Sequence, residues 1–161
     1  MKLLLSLFAG LLLFFQSADI EALRNSYAKA SQSNANTQSF INLAEKQSSS
    51  DVITTGYKAA AKIMEARITT EKNKRKSFIK SGATTLENVI KSNPNNAELR
   101  LIRLSVQENL PKIVGYRGSL KDDKTFLINN YSKQNAGLKN YIKRFASQSK
   151  TFTPADRALL K

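Results

Sequence analysis

Two hydrophobic patterns divide this chain: one continuous apolar run at its start, then a series of apolar stripes at helical spacing. The run, Leu3 to Phe15, is diluted only by Ser6 and Gly10, follows Lys2, and leads into Gln16, Ser17 and Ala18. A lone basic residue, a short apolar stretch and a small residue at its end predict a secretory signal peptide over residues 1–18. At about 1.5 Å per residue such a helix reaches only ~20 Å, short of the ~30 Å hydrocarbon core, which argues against a permanent span. Gln16 stands where a small residue is preferred before the cut, so an uncleaved, tethered form stays open.

Beyond that run, Ile20, Leu23, Tyr27 and Ala30 recur at three- and four-residue steps, one face of a helix with Asp19 ahead as a cap. Ser31 to Thr37 breaks the pattern before Phe40, Leu43 and Ala44, and Ser48, Ser49, Ser50 and Asp51 favour a stop and a new cap. Ile53, Tyr57, Ala60, Met64 and Ile68 form the clearest stripe. The polar stretch Thr69 to Lys76 leads into Phe78, Ile79, Gly82, Leu86, Val89 and Ile90, and Pro94 ends that helix. Asn95 with Glu98 reads as a capping box for the next one. Its residues Leu99, Leu101, Ile102, Leu104, Val106 and Leu110 cover most of the circumference, as in a helix packed on several sides. Pro111, Gly115 and Gly118 make a broken connection with a short turn over residues 112–116. Ser119 with Asp122 reads as another capping pair, followed by Phe126, Leu127 and Tyr131 and then by Leu138, Tyr141, Ile142 and Phe145. Thr153, Pro154 and Asp156 open a last helix. No segment alternates with period two, so the pattern predicts an all-α fold of seven or eight helices in packed antiparallel hairpins, one domain over residues 19–161.

An offset of 59 residues superposes Ile20, Leu23, Tyr27 and Ala30 on Ile79, Gly82, Leu86 and Val89, with an SNxN turn after each. That echo, an apolar helix, a polar turn and a second helix, is the αα-hairpin of helical repeats. The segment GATTLENVIKSNPNNAE, residues 82–98, resembles the second half of a tetratricopeptide repeat, with Gly82, Leu86, Val89 and Pro94 at its small, large, small and proline positions. The preceding helix carries Ala66, Thr69, Thr70 and Asn73 where that family has bulky and turn-forming residues, so the resemblance implies an irregular TPR-like array. The stretch NPNNAELRLIRLSVQENLPKIVGY is also similar to exported helical proteins of bacteria, which implies a compartment and a fold but no activity.

Composition narrows the chemistry. The chain has no Cys, His or Trp, which removes thiolate chemistry, disulfides, a lipid-modified cysteine anchor, and the commonest general base and metal ligand. We expect no catalytic residues, no metal and no cofactor, because neither a nucleophile elbow nor a phosphate loop occurs, and Ser77 with Lys80 matches S-x-x-K by letter only. A formal charge of +14 draws the protein to polyanions at low salt. Lys72, Lys74, Arg75 and Lys76 make the densest block, a solvated helix start or an anion-binding surface, and export argues against nucleic acid. Lys139, Lys143 and Arg144 flank the stripe around Tyr141, as in an ordinary docked helix or one lying on an anionic membrane.

Arg100 and Arg103 lie one turn apart on the helix expected to be buried. They either pair internally, with Glu87 or Glu108, or form an anion-binding notch with Tyr116 and Arg117. Two functions follow: an exported protein of the periplasm, cell surface or medium that offers a groove to an envelope protein, or one that binds anionic lipid or another polyanion through its basic faces. The signal reading is checked by fractionation and N-terminal sequencing. A chain beginning near Asp19 in the envelope or medium is expected, and the intact Met1 form in the cytosol would overturn it.

Overall fold

A computed structural model describes residues 19–47 and 51–161. Residues 1–18, where a signal peptide is expected, and the serines of residues 48–50 lie outside the described residues. Those described form eight α-helices and no strand: α1 (residues 19–30), α2 (Asn34–Lys46), α3 (Val52–Ile68), α4 (Lys72–Ser92), α5 (Ala97–Asn109), α6 (Leu120–Asn130), α7 (Ala136–Gln148) and α8 (Pro154–Ala158). Two 3-10 turns, Lys112–Val114 and Tyr131–Lys133, join α5 to α6 and α6 to α7. The helices pack as an all-α array, and among the described residues none is long and apolar enough to cross a membrane.

Local chemistry explains the boundaries. The break after α1 is shorter than the sequence pattern suggests: Ser33 accepts from the Asn36 amide at 3.0 Å, and α2 starts at Asn34. Thr37, expected in the break, is buried inside α2, its hydroxyl 2.7 Å from the Ala30 carbonyl. Asp51 caps α3 through the Thr54 amide at 2.9 Å. α4 also begins earlier than expected, so the basic run occupies its first two turns. The anticipated capping box at Asn95 and Glu98 does not form. Asn96 caps α5 through the Leu99 amide at 3.0 Å, while Glu98 turns inward to Arg24. Ser119 precedes α6 without a side-chain cap; the Gln107 side chain takes its amide instead. The box at Thr153 and Asp156 forms fully, with Pro154 in the first turn.

Two hydrophobic clusters share α5. Leu99, Ile102 and Val106 face the first with α1 to α4, where the rings of Tyr27, Phe40 and Tyr57 interlock with centroids 5.0 to 6.3 Å apart. Ala97, Leu101 and Leu104 face the second, with Leu127, Tyr131, Leu138, Tyr141, Ile142 and Phe152. α5 is therefore packed on several sides, as its sequence predicts.

Gly82 sets the spacing of α3 and α4, because a Cβ there would come within 2.5 Å of the Ala59 carbonyl oxygen. Backbone cannot yield as a side chain can, so Gly82→Ala should destabilise the protein by about 1–3 kcal/mol despite the ~1 kcal/mol better helix propensity of alanine. Gly118→Ala, which meets nothing within 4 Å, is the control, and urea melts of both variants decide the point.

Candidate functional site

Burying α5 on two sides also buries charges of both signs, and each finds partners. The Glu98 side chain, 1 % exposed, accepts from Arg24 Nε and Nη2 at 2.8 and 2.7 Å and from the Tyr57 hydroxyl at 2.8 Å. Burial and the adjacent carboxylate push the Tyr57 hydroxyl well above the ordinary tyrosine range. Arg103, 8 % exposed, donates through Nε and Nη2 to the fully buried Asp123, both at 2.7 Å, and through Nη1 to Glu87 at 2.7 Å. Such forked geometry satisfies both groups while removing them from water.

The four residues of the expected notch divide between two tasks. Arg100 donates to Asp123 at 3.1 Å and to the Pro94 carbonyl at 2.8 Å, with its guanidinium over the Phe126 ring. The Tyr116 hydroxyl donates to Glu87 at 2.5 Å, so Arg100, Arg103 and Tyr116 belong to one ion-pair cluster. Arg117 lies apart and donates to the carbonyls of Gln107, Glu108 and Leu110, closing the end of α5. Of the two acids expected to partner the arginines, Glu87 does so. Glu108 instead accepts from Ser149 Oγ and the Lys150 amide at 2.6 and 2.5 Å, tying α5 to the end of α7. Asp123, in the first turn of α6, is the carboxylate that both arginines share.

A separate groove of about 890 Å³ opens between α1, the end of α3, the start of α4, the end of α5 and α7. Ile63, Met64, Ile79, Val106, Leu110 and Phe145 supply its apolar wall. Four cations border it, Lys29, Arg67, Arg75 and Arg144, and none forms an ion pair among the described residues. Arg75 donates to the Thr69 carbonyl and Arg144 to Asn25, which orients both without neutralising them. The groove's carboxylate is Glu108, whose two oxygens are already bonded. The exposed carboxamides of Asn25, Gln32, Asn109 and Gln148 also line it. Tyr27 is half-buried at the floor, and desolvation pushes its hydroxyl up to about 12 against a smaller opposing effect of Ser105. Its neutral form therefore contributes stability below the ordinary value of about 10 that is lost as pH rises toward 12.

The basic residues singled out in the sequence do not form one surface. Arg75 and Arg144 reach the groove; Lys72, Lys74 and Lys76 lie on the exposed first turns of α4, with Lys74 2.6 Å from Glu71. Lys139 and Lys143 stand over the Tyr131 ring at 5.8 and 5.9 Å. The apolar stripe between them is consumed, since Leu138, Tyr141 and Ile142 are buried in the second cluster. Sequence reasoning missed Lys29 and Arg67, because isolated cations on two distant helices show no pattern until the helices are packed. No family model, curated protein or solved structure matches this chain.

The ion-pair cluster makes an asymmetric prediction. Arg103→Ala leaves the fully buried Asp123 with only the 3.1 Å bond from Arg100 and should cost roughly 3–5 kcal/mol. Arg100→Ala leaves both Arg103 bonds to Asp123 intact and should cost about 1–2 kcal/mol. Equal losses in denaturant melts of the two variants would show that Asp123 is not held mainly by Arg103.

Proposed function

We propose that this chain is an exported, non-enzymatic interaction module whose groove receives an acidic segment of a partner protein carrying apolar side chains. Charge complementarity carries the reading: four cations, with no ion pair among the described residues, surround an apolar wall and outnumber the one lining carboxylate, Glu108, whose oxygens are engaged by Ser149 and Lys150. At about 890 Å³ the groove is at the upper end of the usual ~300–1,000 Å³ for a binding site, room for a stretch of peptide. The carboxamides of Gln32 and Gln148, which make no hydrogen bond among the described residues, favour peptide over lipid, because each offers donors and an acceptor that match a peptide group and that an acyl chain leaves unused. Adding a strand to a sheet edge is unavailable to an all-α fold, so recognition rests on side chains set in a groove between helices.

Binding of anionic lipid or another polyanion through the basic faces has less support. Burial of the α7 stripe leaves that surface its charges and little apolar area to insert. Charge attraction alone is screened within about 8 Å at physiological salt.

Fluorescence anisotropy at ~0.15 M salt separates the readings. The probes are a labelled peptide of Glu mixed with Leu and Phe, its Lys-for-Glu counterpart, and a Glu-only peptide; vesicles doped with phosphatidylglycerol are tested by flotation. The acidic, apolar peptide should bind best, and the Arg67→Glu, Arg144→Glu double variant should weaken it about tenfold or more. Equal binding of the Glu-only peptide, or tighter binding of the vesicles, would replace the groove by general attraction to anions.

A further inference from the structure

Ile113 is 96 % exposed at the apex of the 3-10 turn Lys112–Val114, on the border of the groove. A single exposed apolar residue is ordinary on a protein surface. This one differs in its mounting. The turn is closed by Val114 and Gly115 amides donating to the carbonyls of Pro111 and Lys112 at 3.0 and 3.1 Å. Gly115 adopts φ +75°, a backbone state in which a side chain would be strained. Just beyond it, Tyr116 is tied to Glu87 on α4, Arg117 grips the carbonyls at the end of α5, and the Ser119 amide is held by Gln107.

An apolar side chain in water on a braced turn contributes nothing to the core, yet its position is already ordered before any partner arrives. Ordering a loop and its side chains at an interface is one of the main costs of association, and a braced contact avoids much of it. Apolar contacts beside cations also divide the work: the cations Arg67, Arg75 and Arg144 attract carboxylates, while Ile113 discriminates by what stands between them. We infer that the connection from Pro111 to Gly118 is a rigid lip whose Ile113 packs onto an apolar side chain of the groove's acidic peptide, so that this residue selects apolar-bearing segments over merely acidic ones. The inference rests on the peptide reading above. A second copy of the chain is a poorer occupant, because a basic groove would have to accept a protein of net charge +14.

The test compares wild type, Ile113→Ala and Ile113→Asp with the Glu/Leu/Phe and Glu-only peptides at ~0.15 M salt, alongside thermal melts and gel filtration. Unchanged melting midpoints are expected, with the apolar peptide weakened about fivefold to tenfold by Ile113→Ala and more by Ile113→Asp, and the Glu-only peptide unaffected by Ile113→Ala. If wild type binds the apolar peptide and both variants bind it equally well, the lip is wrong and the groove reading stands. If wild type binds no peptide, the groove reading falls and the lip with it. A lowered midpoint would make Ile113 a structural residue, and a wild-type dimer dissolved by Ile113→Asp would make the second copy the occupant; either result overturns the proposal.

Discussion

The fold depends on neutralising Glu98 and Arg103 where α5 passes between two hydrophobic clusters. A helix with apolar side chains around most of its circumference must bury whatever polar residues remain on it, and an unpaired charge there would cost several kcal/mol. Arg24 of α1 and Tyr57 of α3 answer Glu98; Asp123 of α6 and Glu87 of α4 answer Arg103. Through these contacts one central helix fixes the position of four others. The aliphatic contacts supply the driving force for burial, and the ion pairs select which arrangement of similar apolar faces is the native one.

The same neutralisation shapes the surface. The acids Glu21, Glu87, Glu98, Asp123 and Asp156 are all paired with Lys or Arg within the described structure, and the remaining excess of Lys and Arg faces water. Most of that excess is scattered and is screened at physiological salt. Around the groove it is concentrated against apolar side chains, where a bound segment would displace water and strengthen each attraction. The site and the core are thus two consequences of one distribution of charge. Glu108 is the exception: its bonds to Ser149 Oγ and the Lys150 amide fasten the end of α7 to α5, and its charge is outnumbered by the four cations that border the groove.

Much of the fold is legible in the chain. The stripes beginning at Ile20, Ile53 and Leu138 are helices, the helix after Asn96 with apolar residues around most of its circumference is central, and Thr153 with Asp156 forms the capping box its spacing predicts. The errors share one cause. Glu98 leaves its helix start for Arg24, 74 positions away, and Ser119 yields its amide to Gln107, so local capping rules lost to tertiary partners that no short window contains. Ser31 to Thr37 resembled a long break because its residues are polar, yet Thr37 satisfies its hydroxyl on the preceding helix and stays helical and buried. The spacing of Arg100 and Arg103 marks them as a pair on a packed helix, while the acid they share, Asp123, lies 23 and 20 positions away on α6, beyond any local pattern.

By itself the sequence determined the quantities that depend on neighbours along the chain: the helical class, the approximate stripes, the surplus of positive charge and the absence of thiol and imidazole chemistry. Helical periodicity is local, so a window of residues contains its cause. The tertiary structure alone decided which opposite charges meet, that the α7 stripe faces a core, and that Lys29, Arg67, Arg75 and Arg144 surround one groove with Ile113 at its edge. Those facts are distances between residues far apart in the chain. Such distances are set by how helices pack, through contacts as specific as Gly82 against Ala59, and no composition or spacing encodes them one element at a time.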